Sequence, residues 1–231
     1  MLPIAILSGG FATRLGSLTK EKPKCLIEVS GKPFVDWQID LLVENGYTDF
    51  VFCVSHKSNL VQDHLGDGSQ WGVRFRFSLD GEKQLGTGGA IQKALPFLGA
   101  EFAVIYGDSY LPINYREVEL NFLNSRRLAL MTVYKNKNNF DTSNVEFLDE
   151  RLANYDKEKI TEKMHHIDYG LTYFRQEAFT RYVNESQFDL SKLCNKLACN
   201  GLLDGYEVFE RFYEVGSFEG LEAISHYLEK R

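Results

Sequence analysis

The sequence predicts an α/β chain, a three-layer α/β/α arrangement on a mixed, mostly parallel sheet. Three observations predict it. Short apolar runs of strand length alternate with amphipathic, helix-length stretches along most of the chain. Several runs, such as Phe50–Ser55 and Phe102–Tyr106, are almost continuously apolar, as strands covered on both faces are. Glycines and Gly-Asp pairs close many of the elements, at Gly46, Gly66-Asp67-Gly68 and Gly107-Asp108. Regular strand–helix alternation of this kind builds a parallel sheet with helices on both faces, a Rossmann-like architecture.

The elements follow in order. Pro3–Leu7 reads as the first strand. Phe34–Asn45 carries Phe34, Trp37, Ile39, Leu41 and Leu42 on or near one side, and ends at a C-cap glycine, Gly46. Phe50–Ser55 is a buried strand and Asn59–Leu65 a helix. Val73–Leu79 alternates, so it is a strand with one polar face. Thr87–Leu95 is a helix opening on glycines, Phe102–Tyr106 a strand, Glu117–Asn124 a helix and Leu128–Tyr134 a strand. The polar stretch 135–159 is rich in Asn, Asp and Lys; it predicts turns and short antiparallel strands, Ser143–Leu148 and another from Ile160 onward. Tyr169–Phe174 is a strand, Glu177–Val183 and Leu190–Leu197 are helices, Phe209–Val215 is a strand and Phe218–Leu228 the last helix. With no internal repeat, low-complexity tract or linker, we expect one domain over residues 1–231, with 135–165 as a small lobe.

Composition narrows the function. The chain has 231 residues and a formal net charge of −6, which argues against a broad nucleic-acid surface but leaves room for a nucleotide site with a few local cations. No apolar run approaches a membrane span and no export signal opens the chain, so the expected address is cytoplasmic, with no membrane partner. The four cysteines, Cys25, Cys53, Cys194 and Cys199, lack C-x-x-C spacing and read as reduced thiols rather than zinc ligands. The sequence leaves homodimer formation open.

The stretch "LSGGFATRLG", Leu7 to Gly16, follows the first strand directly. In an open parallel sheet, ligands sit outside the carboxyl ends of the strands. Bare backbone N–H groups at Gly9 and Gly10 can approach a phosphate chain that a side chain would block. Arg14 adds a planar, permanently charged fork suited to phosphate oxygens. Lys24 sits between Pro23, which stiffens the backbone, and the apolar pair Cys25-Leu26, so it is held to point at an anion. The spacing is neither a dinucleotide GxGxxG turn nor a Walker A loop.

Five segments, in order, carry a family resemblance: "LSGGFATRLGSLTKEKPKCLIEVSGKPFVDWQIDLL", "QLGTGGAIQKAL", "VIYGDSYL", "ITEKMHHIDYGLTYF" and "YEVGSFEGLEA". Together they resemble the sugar-1-phosphate nucleotidyltransferases, and "LGTGGA" in a chain of this length is most similar to the heptose-1-phosphate guanylyltransferase-like members. The sequence departs from the family pattern at Ala12, Cys25, Glu214 and Ser217, where glycine, proline, aspartate and threonine are usual. The Glu214 departure puts a second metal contact in question.

The resemblance implies a reaction in which a sugar 1-phosphate attacks the α-phosphorus of a nucleoside triphosphate and releases pyrophosphate. The acceptor oxygen is already anionic, so catalysis rests on positioning and electrostatics. By resemblance, Arg14, Lys24 and Asp108 are catalytic, and Asp108 with Glu214 holds Mg2+. Leu7, Ser8, Gly9, Gly10 and Phe11, with Gln84, Gly86, Thr87 and Gly88, bind the nucleotide. Glu162, Lys163, Tyr169 and Gly170 bind the acceptor, Lys163 taking its phosphate. His165 and His166 point to opposite faces of a strand, so at most one meets the acceptor. Asp67 and Asp80 read as turn aspartates. The residues alone do not name the base or the acceptor. A cytidylyl- or uridylyltransferase acting on another phosphorylated acceptor, such as a hexose or amino-sugar phosphate, stays open. So do a phosphocholine-like acceptor, which calls for an aromatic cage drawn from Tyr169, Tyr173 and Phe174, and a non-catalytic nucleotide-binding paralogue.

Overall fold

The structure, a computed structural model, describes residues 1–9, 22–55, 57–81 and 83–231. The elements run β1 Ile4–Leu7, β2 Glu28–Val29, β3 Lys32–Pro33, α1 Phe34–Glu44, β4 Asp49–Val54, α2 Ser58–Leu65, β5 Arg74–Leu79, α3 Gly86–Leu98, β6 Glu101–Tyr106 and β7 Ser109–Tyr110. They continue as α4 Tyr115–Asn124, β8 Ala129–Tyr134, β9 Val145–Leu148, β10 Arg151–Tyr155, β11 Ile167–Arg175, α5 Gln176–Tyr182, α6 Leu190–Cys199, β12 Leu203–Val208, β13 Tyr213–Glu214 and α7 Phe218–Leu228.

Seven strands form the central sheet in the order β12-β8-β11-β6-β1-β4-β5. Every pairing is parallel except those of β11, which runs antiparallel to both β6 and β8. Alternate strand residues feed two separate cores, because successive side chains leave opposite faces. Ile4, Ile6, Phe50, Phe52 and Ile105 pack with residues of α1, α4 and α7. Ala5, Val51, Cys53 and Val104 pack with residues of α3, α5 and α6. The expected three-layer α/β/α architecture on a mostly parallel mixed sheet is what the chain adopts.

The order reverses beside β1, which connects onward to β4 and β5 on one side and pairs with β6 on the other. This switch point opens a crevice at the carboxyl edge of the sheet. The reversed β11 brings its amino end, Ile167-Asp168, to that same edge, since Ile167 is paired with Tyr134 at the carboxyl end of β8.

Two strand expectations fail. The strand expected over Phe209–Val215 shrinks to the two residues of β13, paired with β7; the central sheet takes Leu203–Val208 beside β8 instead, and Phe209 is 83% exposed. The stretch Leu203-Asp204-Gly205 looks turn-like, yet Gly205 lets the β9–β10 hairpin lie against β12. An added Cβ there would stand 2.7 Å from the Phe147 ring and 3.1 Å from Leu152 Cβ. Likewise, the partner of β9 is Arg151–Tyr155, not a strand starting at Ile160. Asp156 caps the following turn by accepting from the amides of Glu158 and Lys159 (2.8 and 2.9 Å).

Candidate active site

Gly107 brings the ends of β1 and β6 together. Its amide donates to Leu7 O (3.0 Å), and a Cβ there would stand 2.6 Å from Ser8 Oγ and 2.9 Å from Leu7 O. The next residue, Asp108, is thereby held beside the Leu7-Ser8-Gly9 turn. Gln38 of α1, fully buried, donates to the carbonyls on both sides of it, Tyr106 O (2.9 Å) and Ser109 O (2.6 Å). Lys24 reaches Asp108 from the segment before β2, with Nζ 2.5 Å from Oδ2. Ser109 Oγ lies 3.4 Å from Oδ1. The Lys24 and Asp108 side chains are only 17% and 33% exposed, a geometry in which an ion pair is shielded from bulk solvent.

Two cavities meet at this aspartate. The first, about 340 Å³, is lined by Leu7, Ser8 and Gly9 from the β1 turn, Lys24, Gln84, Gly86 and Thr87 at the start of α3, and Tyr106 to Asp108. Cys25, Cys53, Ala90, Asp80 and Asp189 complete it. The second, about 320 Å³, is lined by Tyr106, Asp108, Glu214, Asp168 and Gly170, with Asp141, Thr142, Asn144, Lys157, Ile160 and Ile167. Tyr106 and Asp108 belong to both walls.

Asp108 and Glu214 approach each other through β7 and β13, which pair antiparallel with Ser109 opposite Glu214, while the Val215 amide donates to Asp108 O (2.9 Å). The Glu214 side chain reaches solvent at the cavity mouth. Partial desolvation in the cleft and then the Asp108 charge push its carboxyl up to about 7, with Lys24 opposing. Two carboxylates that repel each other across a cleft fit a divalent cation completed by water and phosphate oxygens, the coordination habit of Mg2+. Among the described residues no cluster of three or more His, Cys, Asp or Glu side chains is arranged to hold a metal.

The expected site residues divide. Leu7, Ser8, Gly9, Lys24, Gln84, Gly86, Thr87 and Asp108 all line the first cavity, and Asp108, Gly170 and Glu214 the second. Gly10, Phe11 and Arg14 lie outside the described residues. Gly88 faces away from the cavity: its amide donates to Phe188 O (3.0 Å), and a Cβ there would stand 2.7 Å from Phe188 Cζ and closer to two other ring atoms. The glycine is a packing requirement of α3 against the segment before α6. Glu162 and Lys163 are exposed and line neither cavity. Tyr169 is 1% exposed and packs on Phe212 and Tyr134 in the core. Tyr173 and Phe174 are fully buried, with Tyr173 Oη 2.7 Å from Tyr47 Oη, so these rings form no cage at the acceptor side.

Among the described residues the cation lining the second cavity is Lys157, whose Nζ lies 3.8 Å from Asp168 Oδ2. The available signal was a second acidic–lysine pair, Asp156-Lys157, which like the expected Glu162-Lys163 precedes the glycine-containing strand β11 and stands directly after β10. Asp168 is pinned from several directions: Oδ1 accepts the Gly170 amide (3.0 Å), and Tyr155 Oη approaches Oδ2 (3.4 Å). Gly170, at φ +106° in the β11 bulge, takes a backbone conformation that favours glycine. Asp189, also unforeseen, caps α6 by accepting the Ser191 amide (2.8 Å) and receives Thr87 Oγ1 (3.1 Å). Burial pulls its carboxyl upward, but the bonds from Ser191 and Thr87 and the Lys157 charge outweigh that and hold it below its ordinary value. His166 is buried, with Nε2 3.0 Å from Glu207, and His165 is exposed; neither lines a cavity.

The family model for nucleotidyl transferases matches residues 4–231. The chain belongs to the nucleotidyl transferase family. This nucleotidyltransferase is 28% identical over 188 residues to the D-glycero-α-D-manno-heptose 1-phosphate guanylyltransferase of Campylobacter jejuni, covering 81% of this chain and 82% of that one. It is 37% identical over 111 residues, 48% of each chain, to the N-acetylmuramate α-1-phosphate uridylyltransferase of Neisseria meningitidis. Among solved structures it superposes on HddC of Yersinia pseudotuberculosis complexed with GMP-PN with a TM-score of 0.81, at 21% identity over 99% of this chain and all of that one. The inositol-1-phosphate CTP transferase of T. maritima gives 0.83 at 19% identity, covering all of this chain and 96% of that one. At such identities these two comparisons speak for the fold.

Proposed function

We propose that this enzyme joins a sugar 1-phosphate to a nucleoside triphosphate, with GTP and a heptose 1-phosphate as the substrate pair, and supplies an activated sugar for surface polysaccharide or capsule assembly. The observation that carries the reading is the pair of cavities sharing Asp108, one ending in the glycine turn after β1 and the other holding Lys157. In this reading the triphosphate lies in the first cavity and the sugar phosphate in the second, so the acceptor oxygen and the α-phosphorus meet at the shared wall. The similarity to the guanylyltransferase of Campylobacter jejuni, over four-fifths of the chain, supports the choice of base and sugar.

Each described residue then has a task. Phosphate oxygens meet the β1 turn at Gly9, since the Ser8 amide already donates to Cys53 O (2.9 Å). Lys24 neutralises charge beside Asp108. Lys157 holds the acceptor phosphate, and Asp168 orients Lys157 and presents a carboxylate to sugar hydroxyls. Asp108 and Glu214 would hold Mg2+, which when bound supplies charge neutralisation for the phosphates. No general base is required, because the nucleophile is a phosphate oxygen. A cytoplasmic location, action as one domain and dependence on Mg2+ belong to the same proposal, and assembly as a homodimer is compatible with it.

Pyrophosphate release, measured for each of four nucleoside triphosphates against a panel of sugar 1-phosphates, tests the reading. Turnover with GTP and a heptose 1-phosphate above all other pairs is expected, with Asp108→Asn removing most of it. Absence of pyrophosphate release with every pair overturns it. Uridylyl transfer is the second reading, favoured by the 37% identity to the uridylyltransferase of Neisseria meningitidis over half the chain; the same panel decides between them.

A further inference from the structure

The first cavity holds a carboxylate for which the transfer chemistry has no task. Asp80 directly follows β5, and its amide donates to Val54 O (3.0 Å), which fixes it at the carboxyl edge of the sheet. In the order β6-β1-β4-β5 it stands three inter-strand spacings from the strand that carries Asp108, about 14 Å away. A nucleoside triphosphate with its phosphates at Lys24 and Asp108, extended along this edge, brings its base to the β4–β5 end. The lining there is Cys53, Ala90, Gln84 and Asp80. Asp80 Oδ2 accepts the Leu85 amide at 3.3 Å, and the carboxylate makes no ion pair among the described residues. The nearby Lys93 ammonium donates to the Asp80 backbone carbonyl (3.3 Å) rather than to the side chain. Partial burial raises the Asp80 carboxyl above its ordinary value, with the Leu85 amide and Lys93 pulling the other way. A ligand donor would repay that desolvation.

We propose that Asp80 reads the base of the bound nucleotide and selects guanine. This deepens the proposed function and rests on its placing of the triphosphate in the first cavity. An ionised carboxylate is an acceptor only. Guanine offers N1–H and the 2-amino group side by side, a matched pair of donors for the two oxygens. Uracil and thymine offer one N–H between two carbonyl oxygens, which the carboxylate repels. Cytosine and adenine set an amino group beside a ring-nitrogen lone pair. Gln84, which both donates and accepts, suits any of these edges and does not discriminate among them.

The test is a calorimetric titration of GTP, ITP, UTP and CTP, with Mg2+ and no sugar phosphate, into the wild-type chain and the Asp80→Asn and Asp80→Ser variants. ITP, whose base is hypoxanthine, is GTP without the 2-amino group. A hydrogen bond to a charged group predicts GTP binding about tenfold or more tighter than ITP, and tighter still than UTP. Both variants should bring the GTP:ITP ratio to within about threefold. Equal binding of GTP and ITP by the wild type, tightest binding of UTP, or a ratio unchanged in a variant that folds overturns the assignment. The second variant covers misfolding of the first. Because the titration contains no acceptor, an error in the proposed sugar leaves it intact, whereas failure of the transfer reading shows as GTP binding without pyrophosphate release.

Discussion

Replacing Gly88 with alanine opposes two quantities that the structure sets. Gly88 is the third residue of α3, where alanine gains about 0.5–1 kcal/mol over glycine when its methyl meets open space. The space here is taken. The new Cβ would lie 2.7 Å from Phe188 Cζ and nearer to Cδ2 and Cε2, and that ring is only 5% exposed, so it has no free volume to swing into. Forcing a carbon into a packed site costs about 1–3 kcal/mol, and a ring that cannot yield puts this case near the top. The net loss expected is about 2 kcal/mol, or about 4–8 °C in Tm for a chain of this size. Differential scanning calorimetry of Gly88→Ala, Phe188→Leu and the double variant reads it. Removing the obstructing ring should relieve the alanine, giving a favourable coupling of about 1 kcal/mol or more between the two sites. An unchanged or higher Tm for Gly88→Ala refutes the packing argument. Unchanged Tm with weakened nucleotide binding would return Gly88 to the ligand site.

Further expectations concern the acceptor side, a helix cap and the thiols. Lys157→Met should lower kcat/KM for the sugar phosphate by about 100-fold while Lys163→Met stays within about twofold, since a charge-assisted bond in the cavity is at stake only in the first; equal effects in steady-state kinetics would undo the assignment. Asp189→Ala should cost about 1 kcal/mol by removing the α6 cap. Because the native Asp189 carboxyl is held below its ordinary value, the wild type binds fewer protons there than the unfolded chain does. Its advantage over the variant is therefore full at pH 7 and shrinks as pH falls through about 4 and below, as urea unfolding at several pH values would measure. Burial pushes the Cys25 and Cys53 thiols up to about 12 and raises Cys194 further, whereas Cys199 is exposed. Titration of the folded chain with a thiol reagent at pH 8 should therefore count one fast cysteine, rising to four on denaturation.

Much of this protein was readable in one dimension. Apolar runs mark β1, β4, β6, β8 and β11, because a strand covered on both faces needs one whatever its neighbours are, and alternation marks the edge strand β5. The bounds of α7, Phe218–Leu228, match the expectation at both ends, and the structure adds Ser217 as its cap. The Gly9 turn and the strand-end Asp108 were legible for the same reason: local backbone freedom and a carboxylate at a strand terminus are written in consecutive residues.

What only the tertiary structure decided is partnership across long separations. Gly86 and Gly88 look alike in "LGTGG", yet one lines the cavity and the other packs on a ring 100 residues away. Asp156-Lys157 and Glu162-Lys163 are near-equivalent pairs in sequence, and only the turn capped by Asp156 brings Lys157, rather than Lys163, into the cleft. Asp80 reads as an ordinary turn residue and Asp189 is not singled out by the sequence, yet the fold carries both to one cavity. The physical reason is common to all of these. Propensity and periodicity are properties of neighbours along the chain, whereas a site is made by the order in which strands pair, and that order is set by packing of the whole sheet.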